Sequence, residues 1–134
     1  MDKDKKMKCP ACREDAELGM IRIEGAKAFK CKICEGIWLG EKELAYLKMV
    51  KYKRYDAKDV VKVKLLREWK MTDGTMPPER NCPACGLLMN RSHYEDIPAI
   101  LQDKCPKKCG IWLNRGDLER IQINERAKED KWWS

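Results

Sequence analysis

Four close pairs of cysteines are the residues of this chain whose type and spacing could do chemistry. The pairs are Cys9/Cys12, Cys31/Cys34, Cys82/Cys85 and Cys105/Cys109. A tight turn that holds two cysteines about three positions apart presents two sulfurs to one ion, and zinc takes four such ligands tetrahedrally. The spacing therefore predicts two zinc ions per chain. The ligands of the first are Cys9, Cys12, Cys31 and Cys34, and those of the second are Cys82, Cys85, Cys105 and Cys109.

A disulfide framework is the alternative explanation of the same cysteines. The first residues, MDKDKKMK, have no apolar core and so predict no signal peptide. No apolar run reaches the length of a membrane span. Thiols that stay in a reducing compartment remain free to bind metal. We therefore expect a cytoplasmic zinc protein with no membrane partner.

The chain is built from an internal repeat. Each unit consists of a cysteine pair, a spacer, a second cysteine pair, the run Gly-Ile-Trp-Leu and a helix-forming segment. One constant shift superimposes Cys31 on Cys105 and Trp38 on Trp112. Both spacers, residues 13–30 and 86–104, place turn residues between β-prone stretches, which predicts a hairpin that brings the two cysteine pairs of a unit together.

Each tryptophan leads into a predicted helix. Asn114 is placed to cap the amide of Asp117, whereas Gly40 is a weaker cap for the first helix. Apolar residues at i, i+3 spacing give each helix an edge that can close over the tryptophan and hairpin of its own unit. These residues are Leu44/Leu47 and Leu118/Ile121. We also expect Gly36, Gly86 and Gly110 to occupy positions with positive φ, where glycine has no steric penalty.

The run CPxC … CxxCxGIWL, followed by an acidic, leucine-bearing helix, resembles the transcription-factor-IIB-type zinc-ribbon family of bacteria and archaea. The resemblance covers residues 7–50 and 80–125, so it implies a tandem double ribbon. It implies zinc that builds the fold. The family name reports similarity of fold to a transcription factor and does not establish a function in transcription.

The second unit departs from the family pattern at one point. Three residues separate Cys105 from Cys109 where the pattern has two, although the following stretch is shorter by one. This predicts a looser knuckle with weaker metal binding or a substitute ligand. His93 is the one histidine of the chain, and we expect it to face solvent because four cysteines already fill a zinc site.

The expected fold class is a small, metal-stabilised α+β protein. It consists of two zinc ribbons, each a β-hairpin with two zinc knuckles and a short helix, joined by a largely helical basic connector. The predicted units are a first ribbon at 7–50, the connector at 51–79, a second ribbon at 80–126 and a tryptophan-containing tail at 127–134. Within the connector, residues 60–66 alternate partly like a strand, but Val61, Leu65 and Trp69 align on one helix face, which favours a helix.

The charge suggests a polyanionic partner. The formal net charge is +7 and the pI is about 9.0, but two zinc ions bound by eight thiolates lower the charge to about +3. A local cluster of bases and aromatic residues remains in the connector, where it could neutralise phosphates and stack on bases. The candidate contacts for nucleic acid or another partner are Lys51, Lys53, Arg54, Lys58, Lys62, Lys64 and Arg67, with Trp132 and Trp133 in the tail.

Three classes of function are compatible with these features. The first is a non-catalytic binding module for nucleic acid or a transcription-related complex. The second is a protein–protein adaptor or homo-oligomer, possible as a homodimer, that does not bind nucleic acid, and the third is a redox-sensitive zinc switch. Catalysis is not expected, because four thiolates close the zinc shell and the chain has no HExxH, phosphate-binding loop or Cys-His nucleophile arrangement.

Overall fold

A computed structural model describes residues 7–12, 16–50, 57–68 and 77–129. The first half contains strands β1 (Leu18–Ile23), β2 (Ala26–Cys31) and β3 (Ile37–Leu39), followed by helices α1 (Glu41–Met49) and α2 (Ala57–Glu68). The second half contains strands β4 (Asn90–Tyr94), β5 (Ile97–Lys104) and β6 (Ile111–Leu113), followed by helix α3 (Asp117–Glu129). The prediction of a small α+β fold with two four-cysteine clusters is confirmed.

Each spacer forms a hairpin. Strands β1 and β2 pair without interruption from Leu18 opposite Cys31 to Ile23 opposite Ala26. The turn between them places Glu24 and Gly25 at φ 48° and 88°, the left-handed region that two-residue hairpin turns require. The second hairpin, β4 and β5, has an irregular register at His93 and Tyr94.

The two halves share one sheet. Its strand order is β1-β2-β3-β6-β5-β4, so the halves meet where β3 pairs antiparallel with β6. Trp38 lies opposite Trp112, with Ile37 opposite Leu113 and Leu39 opposite Ile111. Trp38 faces its equivalent Trp112, and the two flanking pairs are equivalent to each other, so the two halves are related by an approximate two-fold axis.

The helices cover one face of this sheet and bury a core drawn from both halves. That core includes Leu39, Leu44, Leu47, Ile111, Leu113, Leu118 and Ile121. Trp38 and Trp112 belong to a second cluster together with buried cysteines of both sites. The expectation that each helix closes over its own tryptophan is therefore wrong. Side chains alternate along a strand, so Leu39 points towards the helices and Trp38 away from them.

The start of α3 also differs from its prediction. The Asp117 amide donates to the backbone carbonyl of Asn114 at 3.0 Å, so the Asn114 side chain is not its cap. The Oδ1 atom of Asn114 instead accepts a hydrogen bond from Arg80 Nη1 at 2.8 Å. The side-chain oxygen of Asn114, which was predicted to cap α3, is therefore bound by Arg80 from a distant part of the sequence. Gly40 provides no side-chain cap to α1.

Helix α2 packs against α3 and β5 through a face that the sequence pattern did not select. Val60 and Val63 are buried, whereas Val61 is 54% and Leu65 63% exposed. Trp69, the third member of the predicted apolar face, lies outside the described residues. So do residues 51–56 and 69–76, and the connector as a whole stays a prediction.

Candidate metal centres

The first cluster gathers four sulfurs from two turns. One turn precedes β1 and supplies Cys9 and Cys12, and the other joins β2 to β3 and supplies Cys31 and Cys34. The four Sγ atoms lie within 4.8 Å of one another. The Cys9–Cys34 and Cys31–Cys12 sulfurs are 3.6 and 3.9 Å apart. Zinc with sulfur at about 2.3 Å needs tetrahedral edges of about 3.8 Å, so this donor set fits the ion.

Backbone amides point at the sulfurs that begin each turn. The Ala11 and Cys12 amides lie 3.3 and 3.2 Å from Cys9 Sγ. Such N–H donors disperse the charge of a zinc-bound thiolate and fix the direction of its lone pairs. In the second half, the amides of Ala84 and Cys85 approach Cys82 Sγ in the same way, at 3.3 and 3.4 Å.

The sulfur that opens the second turn of each site ionises most readily. Burial alone would raise the pKa of the Cys31 thiol, but the amides of Cys34 and Ile33 donate to its sulfur and bring the pKa down to about 7. The same balance brings the pKa of Cys105 to about 7, whereas burial raises the pKa of Cys9. Zinc binds thiolates, so the lowered pKa of Cys31 and of Cys105 favours the metal-binding form of these two sulfurs.

The second cluster has the same plan with an altered turn. Cys82, Cys85, Cys105 and Cys109 place their sulfurs within 4.8 Å of one another. The Cys105 amide donates to the Gly110 carbonyl at 3.1 Å, which matches the 3.1 Å bond from Cys31 to Gly36 in the first half. The extra residue before Cys109 is absorbed within this closed turn, where Lys108 takes φ 62°. Both four-cysteine clusters therefore fit zinc, giving two ions per chain.

The sites differ in exposure. Cys85 and Cys109 are exposed, whereas their counterparts Cys12 and Cys34 are half-buried. His93 is exposed, lies outside the cluster, and places its Nδ1 2.7 Å from the Pro98 carbonyl oxygen. It does not act as a substitute ligand.

The predicted partner contacts divide into three groups. Lys58, Lys62 and Lys64 are exposed on α2. Arg67 is half-buried and donates through Nη1 to Asn124 Oδ1 at 3.0 Å, which ties α2 to α3. The remaining candidates lie outside the described residues; they are Lys51, Lys53, Arg54, Trp132 and Trp133.

A buried ionic cluster beside the second metal centre was not predicted from the sequence. Asp103 accepts hydrogen bonds from Arg91 Nε at 2.9 Å and Arg91 Nη2 at 3.2 Å, and a third from Arg80 Nη1 at 3.4 Å. Arg91 also donates to the backbone carbonyl of Pro78 at 3.0 Å. Asp103 is a single charge within a β-prone segment, and its partners Arg80 and Arg91 come from other segments. The sequence pattern around Asp103 therefore could not predict the cluster.

Comparison with known families agrees with this geometry. Residues 8–49 match the model of the family described as transcription factor zinc-finger, the TFIIB-type zinc ribbon. The matched segment contains all four cysteines of the first cluster. The second four-cysteine cluster, at 82–109, lies outside the matched residues and repeats the ligand plan of this ribbon. No curated protein and no solved structure matches the chain. None of the described helices is long and apolar enough to cross a bilayer.

Proposed function

We propose that the protein is a non-catalytic, zinc-stabilised module that binds nucleic acid. The four sulfurs of each cluster fill a tetrahedral shell and leave zinc no position for water or substrate. Metal in such a site contributes folding free energy. What the module offers to a partner is therefore its surface.

The outer face of α2 carries the proposal. We define this face by Lys58, Val61, Lys62 and Leu65, which are exposed and follow one another at helical spacing. Among the residues that the structure describes, neither lysine of this face forms a salt bridge. Unpaired lysines one helical turn apart can neutralise adjacent phosphates, and exposed apolar side chains beside them can contact bases. Lys64 flanks the same face, and Lys51, Lys53 and Arg54 precede it in sequence.

Gel-shift titration with a mixed-sequence RNA and DNA oligonucleotide tests the proposal. We expect salt-dependent binding, and we expect the double variant Lys58→Ala/Lys62→Ala to lower affinity and reduce the slope of log K against log salt by about two. The matched control is Lys27→Ala/Lys42→Ala, which removes two exposed charges elsewhere. Equal losses in both variants would contradict a role for this face.

A protein–protein adaptor is the second candidate. Val61 and Leu65 are more than half exposed on one helix face, and paired exposed apolar residues are typical of interfaces. Unchanged oligonucleotide mobility together with a doubled mass in light scattering, reversed by Val61→Ser/Leu65→Ser, would favour a homodimer over nucleic-acid binding.

A further inference from the structure

The two metal centres are connected by a reciprocal contact between tryptophans and glycines. Trp112, from the second half, lies against Gly36 in the first half. Trp38, from the first half, lies against Gly110 in the second. Both rings are almost completely buried, with 1% of Trp112 and 3% of Trp38 exposed. Each half therefore inserts its indole against the backbone of the other.

The fit leaves no room for a side chain at either glycine. A Cβ atom at Gly36 would lie 2.7 Å from Trp112 Cη2, and one at Gly110 would lie 2.7 Å from Trp38 Cζ2. Such distances are shorter than real Cβ contacts. Gly36 and Gly110 do not have the positive φ that we expected of them; among these knuckle glycines Gly86 does, at 83°. Close approach of the indoles is the reason that these two positions are glycine.

Both glycines close metal-binding turns. The Gly36 carbonyl accepts the hydrogen bond from the Cys31 amide, and the Gly110 carbonyl accepts the equivalent bond from Cys105. Gly110 directly follows the ligand Cys109. Displacement of an indole would thus be transmitted to the turn that holds two sulfurs of the opposite site.

Packing alone positions Trp112. Its Nε1 donor is buried and has no hydrogen-bond partner in the part of the chain that the structure describes. A ring without a polar tether depends on the shape of the surface beneath it. For Trp112 that surface is the Gly36 turn, which zinc would order on binding Cys31 and Cys34.

We propose that Trp38 and Trp112 are positioning residues for the zinc site of the opposite half, so that the two sites gain and lose zinc cooperatively. Zinc in one site orders its turn, and the ordered turn holds the indole that supports the other site. Coupling of this kind is reciprocal, because each ion must raise the affinity of the other by the same factor. This inference is independent of the partner that the α2 face binds.

Thiol alkylation under graded chelator measures each site separately. Zinc-bound cysteines resist iodoacetamide, and peptide masses assign protection to Cys12 and Cys34 or to Cys85 and Cys109. We expect Gly36→Ala, a change in the first half, to lower the chelator concentration that exposes Cys85 and Cys109 by about tenfold, within the usual range of site coupling. Gly19→Ala is the matched control, since its Cβ would meet its nearest neighbour at 3.9 Å.

A second variant separates coupling from general loss of stability. Trp112→Leu should expose Cys12 and Cys34 early, although the change lies in the second half. Leu47→Ala, which loosens the core on the helix face, should leave the two sites coupled. The proposal is overturned if Leu47→Ala uncouples the sites as strongly as Trp112→Leu at equal loss of thermal stability.

Native mass spectrometry of the wild-type chain gives an independent readout. With less zinc than sites, cooperative loading predicts zinc-free and two-zinc chains with little of the one-zinc form. Gly36→Ala should increase the one-zinc fraction. A wild-type chain that passes mainly through the one-zinc form would show independent sites and overturn the proposal.

Discussion

Cys85 and Cys109 differ from every other ligand of the two sites because they are exposed. Their counterparts Cys12 and Cys34 are half-buried, in a cluster whose sulfurs also lie within 4.8 Å of one another. Oxidation of zinc thiolates follows their access to the oxidant. The hydrogen bond from the Cys105 amide that closes the wider turn matches its counterpart in the first site, so exposure is the difference that bears on oxidation.

Mild peroxide should attack the second site first. Hydrogen peroxide would oxidise two thiolates of that site to one disulfide, itself be reduced to two hydroxide ions, and release Zn²⁺. We expect Cys85 and Cys109 to appear in oxidised peptides before Cys12 and Cys34 in a time course of alkylation and mass mapping. Simultaneous oxidation of both sites from the earliest time points would contradict a role for exposure.

At the scale of the elements, one row of cross-strand neighbours runs over all strands of the sheet. It contains Met20, Phe29, Trp38, Trp112, Asp103 and Arg91 in that order. The row is apolar in the first half and ionic at the end of the second. Met7 and Arg80 are also equivalent positions of the two halves. The Met7 carbonyl accepts a hydrogen bond from the Leu18 amide, and the Arg80 carbonyl accepts one from the Met89 amide, each at the start of the adjacent hairpin. Equivalent positions of the two halves are thus occupied by apolar side chains in the first half and by an ionic cluster in the second.

Replacing the ionic residues of the second half with the apolar residues of the first tests whether these positions are equivalent. The single change Asp103→Phe leaves Arg91 and Arg80 without their carboxylate, and we expect it to lower the free energy of unfolding by about 3–5 kcal/mol. The triple variant Arg80→Met/Arg91→Met/Asp103→Phe installs the residues of the first half. We expect it to restore most of that loss in urea unfolding of the zinc-loaded protein. A triple variant no more stable than Asp103→Phe would contradict this equivalence.

Local elements could be predicted from the sequence, and their assembly could not. Turns, hairpins and knuckles depend on neighbouring residues, so the cysteine spacing and turn residues were sufficient. The strands Ile37–Leu39 and Ile111–Leu113 are three residues long, too short for a pattern of alternation to reveal them. The pairing of these two strands with each other could not be predicted either, because a sequence with two similar repeats is equally compatible with two separate domains. Asn114 illustrates the same limit, since its partner Arg80 comes from another segment.

At the scale of the whole molecule, the two-fold arrangement makes each half incomplete. Leu39, Leu44 and Leu47 of the first half are buried in the same core as Leu113 and residues of α3. Removal of the second half would expose this apolar surface and leave one side of β3 unpaired. Unpaired strand edges and exposed apolar faces drive association. Zinc can stabilise the fold of the isolated first ribbon, but it does not bury the apolar surface or the unpaired edge of β3.

An isolated fragment of residues 7–50 should therefore dimerise when loaded with zinc. Because β3 and β6 are equivalent, β3 of a second copy can take the place of β6 and lay its Trp38 against Gly36 of the first copy. We expect a dimer in sedimentation velocity, and we expect Gly36→Val to abolish it because a side chain there occupies the space of the indole. Gly19→Val is the control that should preserve the dimer. A zinc-loaded fragment that is monomeric, with the dispersed amide spectrum of a folded ribbon, would show that the first half is a self-sufficient domain and contradict this prediction.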